Sequence, residues 1–197
     1  MTIHAIARVA ATSALLAAVA LSQNACVPLI VAGGVAAGAA VATDRRTTGA
    51  QLDDEVIEDK NALAINERFK GGDVHVNVTS YNGIVLLTGE VPTDATRADI
   101  EQMVRSTPKV RAVQNELVVG PVTDLASRSN DTLITSKVKA RFVEAAKFQI
   151  NYVKVVTEHG VVYLMGVVRR GEGDDAAELA RTTSGVQRVV KVFEYIN

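Results

Sequence analysis

Few side chains in this chain of 197 residues could do chemistry: three histidines, one cysteine and two short runs of carboxylates. His4 lies in an apolar N-terminal stretch, His75 opens the alternating run "HVNVTSY", and His159 stands at a turn position between two apolar runs. Acid–base or nucleophilic catalysis needs an imidazole held against a carboxylate or a nucleophile. No motif spacing supplies that partner to His75 or His159. The acids at Asp53 to Asp59 and at Glu172 to Glu178 resemble paired carboxylates, but acids at helix starts are also what the helix dipole favours. No P-loop, G-x-S-x-G or H-E-x-x-H occurs, so the catalytic devices those motifs encode are not expected. The lone Cys26 excludes an intramolecular disulfide and a cysteine-built zinc cage. The expectation is a non-enzymatic chain with no catalytic residue, no metal site and no cofactor.

A different chemistry is written between Thr132 and Lys147. That segment carries Lys137, Lys139, Arg141 and Lys147 against Glu144 alone. At 3.6 residues per turn, Ile134, Val138, Phe142 and Ala145 share one side of a helix and should face a sheet. Leu133, Ala140 and Val143 then point the other way, flanked by Lys137, Lys139 and Lys147. Apolar side chains among ammonium groups suit an interfacial lipid contact, in which each basic residue near the surface contributes ~1 kcal/mol. The alternative is that Leu133 and Ala140 pack against another part of the chain. An earlier segment of similar pattern, Asp53 to Lys70, has the opposite balance, with six acids against Lys60, Arg68 and Lys70. It reads as an acidic, solvated face.

The elements that position these residues form a repeat. Moving Asp54–Val91 by 77 positions onto Asp131–Val168 needs no gap and gives 12 identities in 38 positions. On the strands the identities fall mostly two apart, the side-chain period of a half-buried strand. "VNVTSYNGIVLLTGEV" and "VKVVTEHGVVYLMGVV" each read as a tight hairpin, with Gly83 and Gly160 at the turn and Gly89 and Gly166 marking a close backbone approach. Helices are expected at about 54–69, 94–106, 131–146 and 174–183, with last strands at about 110–119 and 186–196. Each unit is thus α-β-β-α-β, an α+β domain with a three-stranded mixed sheet packed on two helices. The expected divisions are 51–119 for the first domain, 120–129 for a linker containing Gly120 and Pro121, and 130–197 for the second domain.

Ahead of the repeat, residues 1–25 have the layout of a secretory signal, with Arg8 before an apolar stretch and small residues before Cys26. A cysteine placed there resembles the lipidated residue of a bacterial lipoprotein, although Gln23 and Asn24 depart from the usual pattern. An ordinary cleavage site near Ala18-Val19-Ala20 and an uncleaved anchor are the other readings. Residues 26–50 begin with a Gly/Ala-rich run that falls short of the ~20 apolar residues of a spanning helix. A surface tether and a flexible linker both fit it.

The unit order, the paired "NGIVLLTGEV" and "HGVVYLMGVV" signatures, and the "TPKVRAVQN" and "TSGVQRVVK" blocks resemble BON domains. With its signal and the segments "DRRTTGAQLDD" and "SNDTLITSKV", the whole chain is similar to dual-BON outer-membrane lipoproteins. The resemblance implies lipid anchoring through Cys26 on the periplasmic-facing leaflet of a Gram-negative outer membrane. It also implies support of membrane integrity, and binding of anionic phospholipid such as phosphatidylglycerol or cardiolipin through the second domain. The competing expectation is a periplasmic adaptor whose domains bind an envelope protein, with the membrane only as anchor; small sheet domains can add a partner's strand at an edge. Nucleic acid is not expected, since the net charge is −1, no GXXG loop occurs and the chain carries an export signal.

Overall fold

The computed structural model describes residues 44–197, so the signal, Cys26 and the Gly/Ala-rich run lie outside the described residues. Two α-β-β-α-β units follow one another. The first consists of α1 (Thr48–Arg68), β1 (His75–Tyr81), β2 (Ile84–Val91), α2 (Asp94–Arg105), β3 (Ala112–Asn115) and the two-residue β4 (Val118–Val119). The second consists of α3 (Leu125–Ala145), β5 (Val153–Glu158), β6 (Val161–Arg169), α4 (Arg170–Arg181) and β7 (Arg188–Ile196), with a short 3-10 turn at Ile150–Tyr152. In each unit the central strand pairs antiparallel with the strand before it and parallel with the strand after α2 or α4. In the first sheet the last strand is interrupted, and β4 resumes the parallel pairing with β2 at Glu90 and Val91.

Both hairpins turn on two consecutive residues of positive φ, Asn82 with Gly83 and His159 with Gly160, which is the geometry that favours Asn-Gly. The aspartate shared by the repeats explains why the turn is held so firmly. Asp54 and Asp131 do not sit in the first turn of their helices. They are buried partway along α1 and α3. Asp54 accepts hydrogen bonds from the Asn82 and Gly83 amides and from the Ser80 hydroxyl, and Asp131 accepts the His159 and Gly160 amides. A carboxylate taking two or three such bonds clamps helix to hairpin. Gly89 and Gly166 serve close approach: a Cβ at either would collide with the carbonyl of His75 or Tyr152 on the neighbouring strand.

Each helical pair covers one face of its sheet. Ile57, Ile65, Val85, Leu87, Val91, Ile100 and Val104 form the first core, and Ile134, Val138, Phe142, Val162, Leu164, Val168 and Ala176 belong to the second. The alternate residues of β2 and β6 are also buried. Tyr81 and Leu86 meet Tyr163, Met165 and Val167 in a third cluster, so the two sheets pack against each other through the faces their helices leave uncovered. The described residues therefore stack as helices, sheet, sheet and helices. Burial on both sides accounts for the near-continuous apolar runs of the central strands.

Three observed helices begin earlier than expected, α4 by four residues at Arg170. α1 starts at Thr48 behind the Thr47 cap, and α3 starts at Leu125 behind Asp124, whose carboxylate accepts the Ser127 amide. Half of the stretch expected to be linker is therefore helical.

Candidate functional site

α3 is fixed from three directions, which leaves its fourth side free. Ile134, Val138 and Phe142 are at most 1% exposed against the sheet. Asp131 holds the hairpin turn, and the Arg141 guanidinium donates to the Leu179 carbonyl and to the Thr182 and Thr183 hydroxyls at the end of α4. Beyond the helix, Phe148 meets Phe142 edge to face at 5.1 Å between ring centroids.

The outward face is apolar, bordered by lysines and by the single acid Glu144. Leu133 is 59% exposed and Val143 62%, and Ala140 is exposed between them. The earlier start of the helix adds Leu125, 78% exposed, to the same side. Lys137 and Lys139 flank the stripe on opposite sides, both exposed and neither in an ion pair among the described residues. Lys147, just past the helix end, pairs with Asp175 at 2.6 Å. Beside it a cleft of about 500 Å3 opens, lined by Val143, Lys147, Phe148, Arg169 and Glu172 among others. Leu133, Lys137, Lys139, Ala140, Val143 and Lys147 thus lie along one exposed surface, and Leu133 and Ala140 are not covered by the other domain.

α1 has the same plan and a different surface. Leu52, Val56 and Leu63 are 57%, 63% and 63% exposed, so this helix is not simply a solvated acidic face. Glu55, Asp59 and Glu67 border that stripe, with Lys60 the one cation among them. Among its other acids, Asp53 pairs with Lys109 and Glu58 with Lys154 of the second domain.

Sequence reasoning passed over two features. The adjacent arginines Arg45 and Arg46, which the sequence shows only within "DRRTTGAQLDD", fasten both domains. Arg45 makes a bidentate pair with Glu172 at 2.6 and 2.8 Å, donates to the Val167 carbonyl and stacks 3.7 Å over the Tyr152 ring. Arg46 binds Asp44 and Asp54 and lies 3.9 Å over the Tyr81 ring. The Arg45 guanidinium holds the Glu172 carboxyl below its ordinary range. Burial pushes the Tyr81 hydroxyl up to about 12, and the nearby Asp44 charge adds to the effect.

The second feature corrects the expectation for the histidines. His75 and His159 do have a carboxylate partner, and it is the same one: Glu90, 1% exposed, lies 3.0 Å from His75 Nδ1 and 2.9 Å from His159 Nε2. His75 and Glu90 are cross-strand neighbours in the first sheet, and His159 arrives from the second domain's hairpin. Only the packing of the two sheets creates the cluster. Burial pushes the Glu90 carboxyl up, but hydrogen bonds from Thr123 and His75 outweigh it and hold the group below its ordinary range.

No helix among the described residues is long and apolar enough to cross a membrane. The BON domain model matches residues 53–121 and again 130–197. The chain is 39% identical to the outer membrane lipoprotein DolP of Haemophilus influenzae over 87% of its own length and 89% of that protein's. It is 33% identical to a 21 kDa hemolysin of Actinobacillus pleuropneumoniae, covering 78% of this chain and 79% of the relative. It is also 28% identical to the osmotically inducible protein Y of Escherichia coli, with 78% of each chain covered. Two matches to one domain model, and a relative this similar over most of both chains, place the protein in the BON-domain family, with the domain present in two copies.

Proposed function

We propose that this protein is a non-enzymatic outer-membrane lipoprotein, lipidated at Cys26 and held on the periplasmic-facing leaflet, which binds anionic phospholipid through α3 and supports outer-membrane integrity. The observation that carries the reading is the exposed Leu133–Ala140–Val143 stripe between Lys137 and Lys139, neither of which is in an ion pair among the described residues. Exposed apolar side chains bordered by cations gain from both terms at a lipid interface, acyl burial and attraction to anionic headgroups. The relative named as an outer membrane lipoprotein supports the location.

The test is co-sedimentation of residues 44–197, which keep Arg45 and Arg46, with liposomes that are neutral or contain phosphatidylglycerol or cardiolipin. Binding to the anionic vesicles alone is expected, weakened about 100-fold by Leu133→Glu with Lys137→Glu, because charge reversal and loss of an apolar anchor add. Equal binding by the double variant would sink the proposal.

An adaptor role has its own supporting observation, the exposed Leu52, Val56 and Leu63 on α1, where Glu55, Asp59 and Glu67 outnumber Lys60. That surface suits a basic, partly apolar protein partner. If wild-type protein ignores anionic vesicles, α1 becomes the surface to pursue.

A further inference from the structure

We propose that the junction between the two BON domains is a binding site for a divalent transition cation of the zinc class, with His75, Glu90 and Glu158 as its protein ligands and His159 as the residue that orients Glu90. Ligand atoms of His75, Glu90 and Glu158, one from each, lie within 4.8 Å of one another. His75 and Glu90 come from the first domain and Glu158 from the second, so the ion would bridge them.

Three observations make this more than a crowd of polar groups. Glu90 and Glu158 are 1% and 6% exposed, and burying two carboxylates side by side requires compensating positive charge. The neutral donor Asn77 is what Glu158 receives, at 2.9 Å, and no ion pair to it forms among the described residues. A divalent ion would balance both carboxylates at once.

The donor set also selects the ion. One imidazole nitrogen with two carboxylate oxygens suits zinc and its neighbours, whereas calcium and magnesium prefer oxygen alone. Tetrahedral ligands at ~2.0–2.2 Å from zinc sit roughly 3.4 Å apart; His75 Nδ1 and Glu90 Oε2 are already 3.0 Å apart, and the widest separation, at most 4.8 Å, has to close by no more than about 1.4 Å. His159 completes the arrangement from outside. Its Nε2 lies against Glu90 Oε1 while His75 Nδ1 lies against Oε2, which is the outer-sphere contact that fixes a ligating carboxylate.

Access and spare hydrogen-bonding capacity are both present. A cleft of about 220 Å3 reaches His75 and Glu158 from solvent, leaving room for water as a fourth ligand. Arg128 lines the same cleft, but its guanidinium donates to the Thr123 carbonyl and forms no ion pair with either carboxylate. On the face of β2 that carries Glu90, two residues along, the Thr88 hydroxyl is buried with no hydrogen-bond partner.

Calorimetric titration of the chelator-treated full-length chain in detergent with zinc sulfate at neutral pH tests the site, with circular dichroism confirming that each variant is folded. One zinc per chain and a rise in thermal midpoint are expected. Binding should be lost in Glu158→Gln and in His75→Gln, and weakened about 10- to 100-fold in His159→Gln, the usual effect of removing an outer-sphere partner. If His75→Gln fails to fold, Glu158→Gln, which preserves shape, decides alone. No saturable zinc binding by the wild type, or binding unchanged in folded Glu158→Gln, overturns the proposal.

Discussion

α1 and α3 are equivalent helices of 21 residues each, seated on the same kind of sheet, clamped to the same kind of hairpin by Asp54 or Asp131, and each with an exposed apolar stripe. What separates them is charge. α1 holds six acids against Lys60 and Arg68, while α3 holds Asp131 and Glu144 against Arg128, Lys137, Lys139 and Arg141. Residues that fasten the helix were kept in both copies, and the outward residues diverged except at Lys60/Lys137, Glu67/Glu144 and Lys70/Lys147. A repeat can therefore carry two different surfaces on one scaffold, because outward positions contribute little to the core and are free to vary in sign.

The two helices differ most in what their shared aspartate holds. Asp54 serves three hydrogen-bond donors of the hairpin and also Arg46, whereas Asp131 serves two backbone amides. Asp54→Ala should cost about 4 kcal/mol, since it leaves the turn without its acceptor and takes from the partly buried Arg46 guanidinium one of its two carboxylates, Asp44 being the other. Asp131→Ala should cost about 2 kcal/mol. Urea unfolding of the two variants measures the gap, and equal costs would mean that neither Arg46 nor the Ser80 hydroxyl adds to the clamp.

Making α1 resemble α3 sharpens the same contrast. Val56 and Leu63 are already exposed, so Glu55→Lys with Asp59→Lys should raise affinity for anionic vesicles about 10-fold or more, at ~1 kcal/mol per basic residue. Vesicle titration of the variant would show whether charge alone separates the helices. No gain would point to the shape of α3 or to its adjoining cleft.

The smallest effect concerns pH. Glu172, held down by Arg45, and Glu194, held down by Arg111, both ionise below the ordinary value of 4.5. A carboxyl depressed in the folded state adds stability that is complete above its unfolded value and is lost as pH falls through its folded value. Both pairs tie segments that are distant in sequence, Arg45 to α4 and Arg111 to β7. The urea midpoint should fall on acidification below that value, and Glu172→Gln should flatten the fall.

The hairpins and the repeat were legible because a tight turn with two positive φ values leaves a strong local signature. The inward and outward sides of α3 were legible for the same reason, since helical period fixes them. Asp54 and Asp131 were misread as helix-start acids because the preceding turns, "TGAQLD" and "LASRSN", lack the apolar period that announces a helix. α4 was placed four residues late because Gly171 and Gly173 look like breakers; Gly173 is instead a close contact, where a Cβ would come within 3.2 Å of Phe193 and Tyr195. Packing of sheet on sheet, and with it the meeting of His75, Glu90, Glu158 and His159, depends on tertiary contacts between strands about 70 to 80 residues apart, to which local pattern is blind.

Residues 44–197 contain no cysteine, so single cysteines can be introduced there and labelled with an environment-sensitive fluorophore. Labels at positions 133 and 140 on α3 and at 56 and 63 on α1 would be compared as anionic vesicles carrying a lipid-resident quencher are added. Blue-shifted, quenched emission is expected at 133 and 140, with no change at 56 and 63. Quenching at 56 and 63 instead, or at none of the four, would contradict lipid contact through α3.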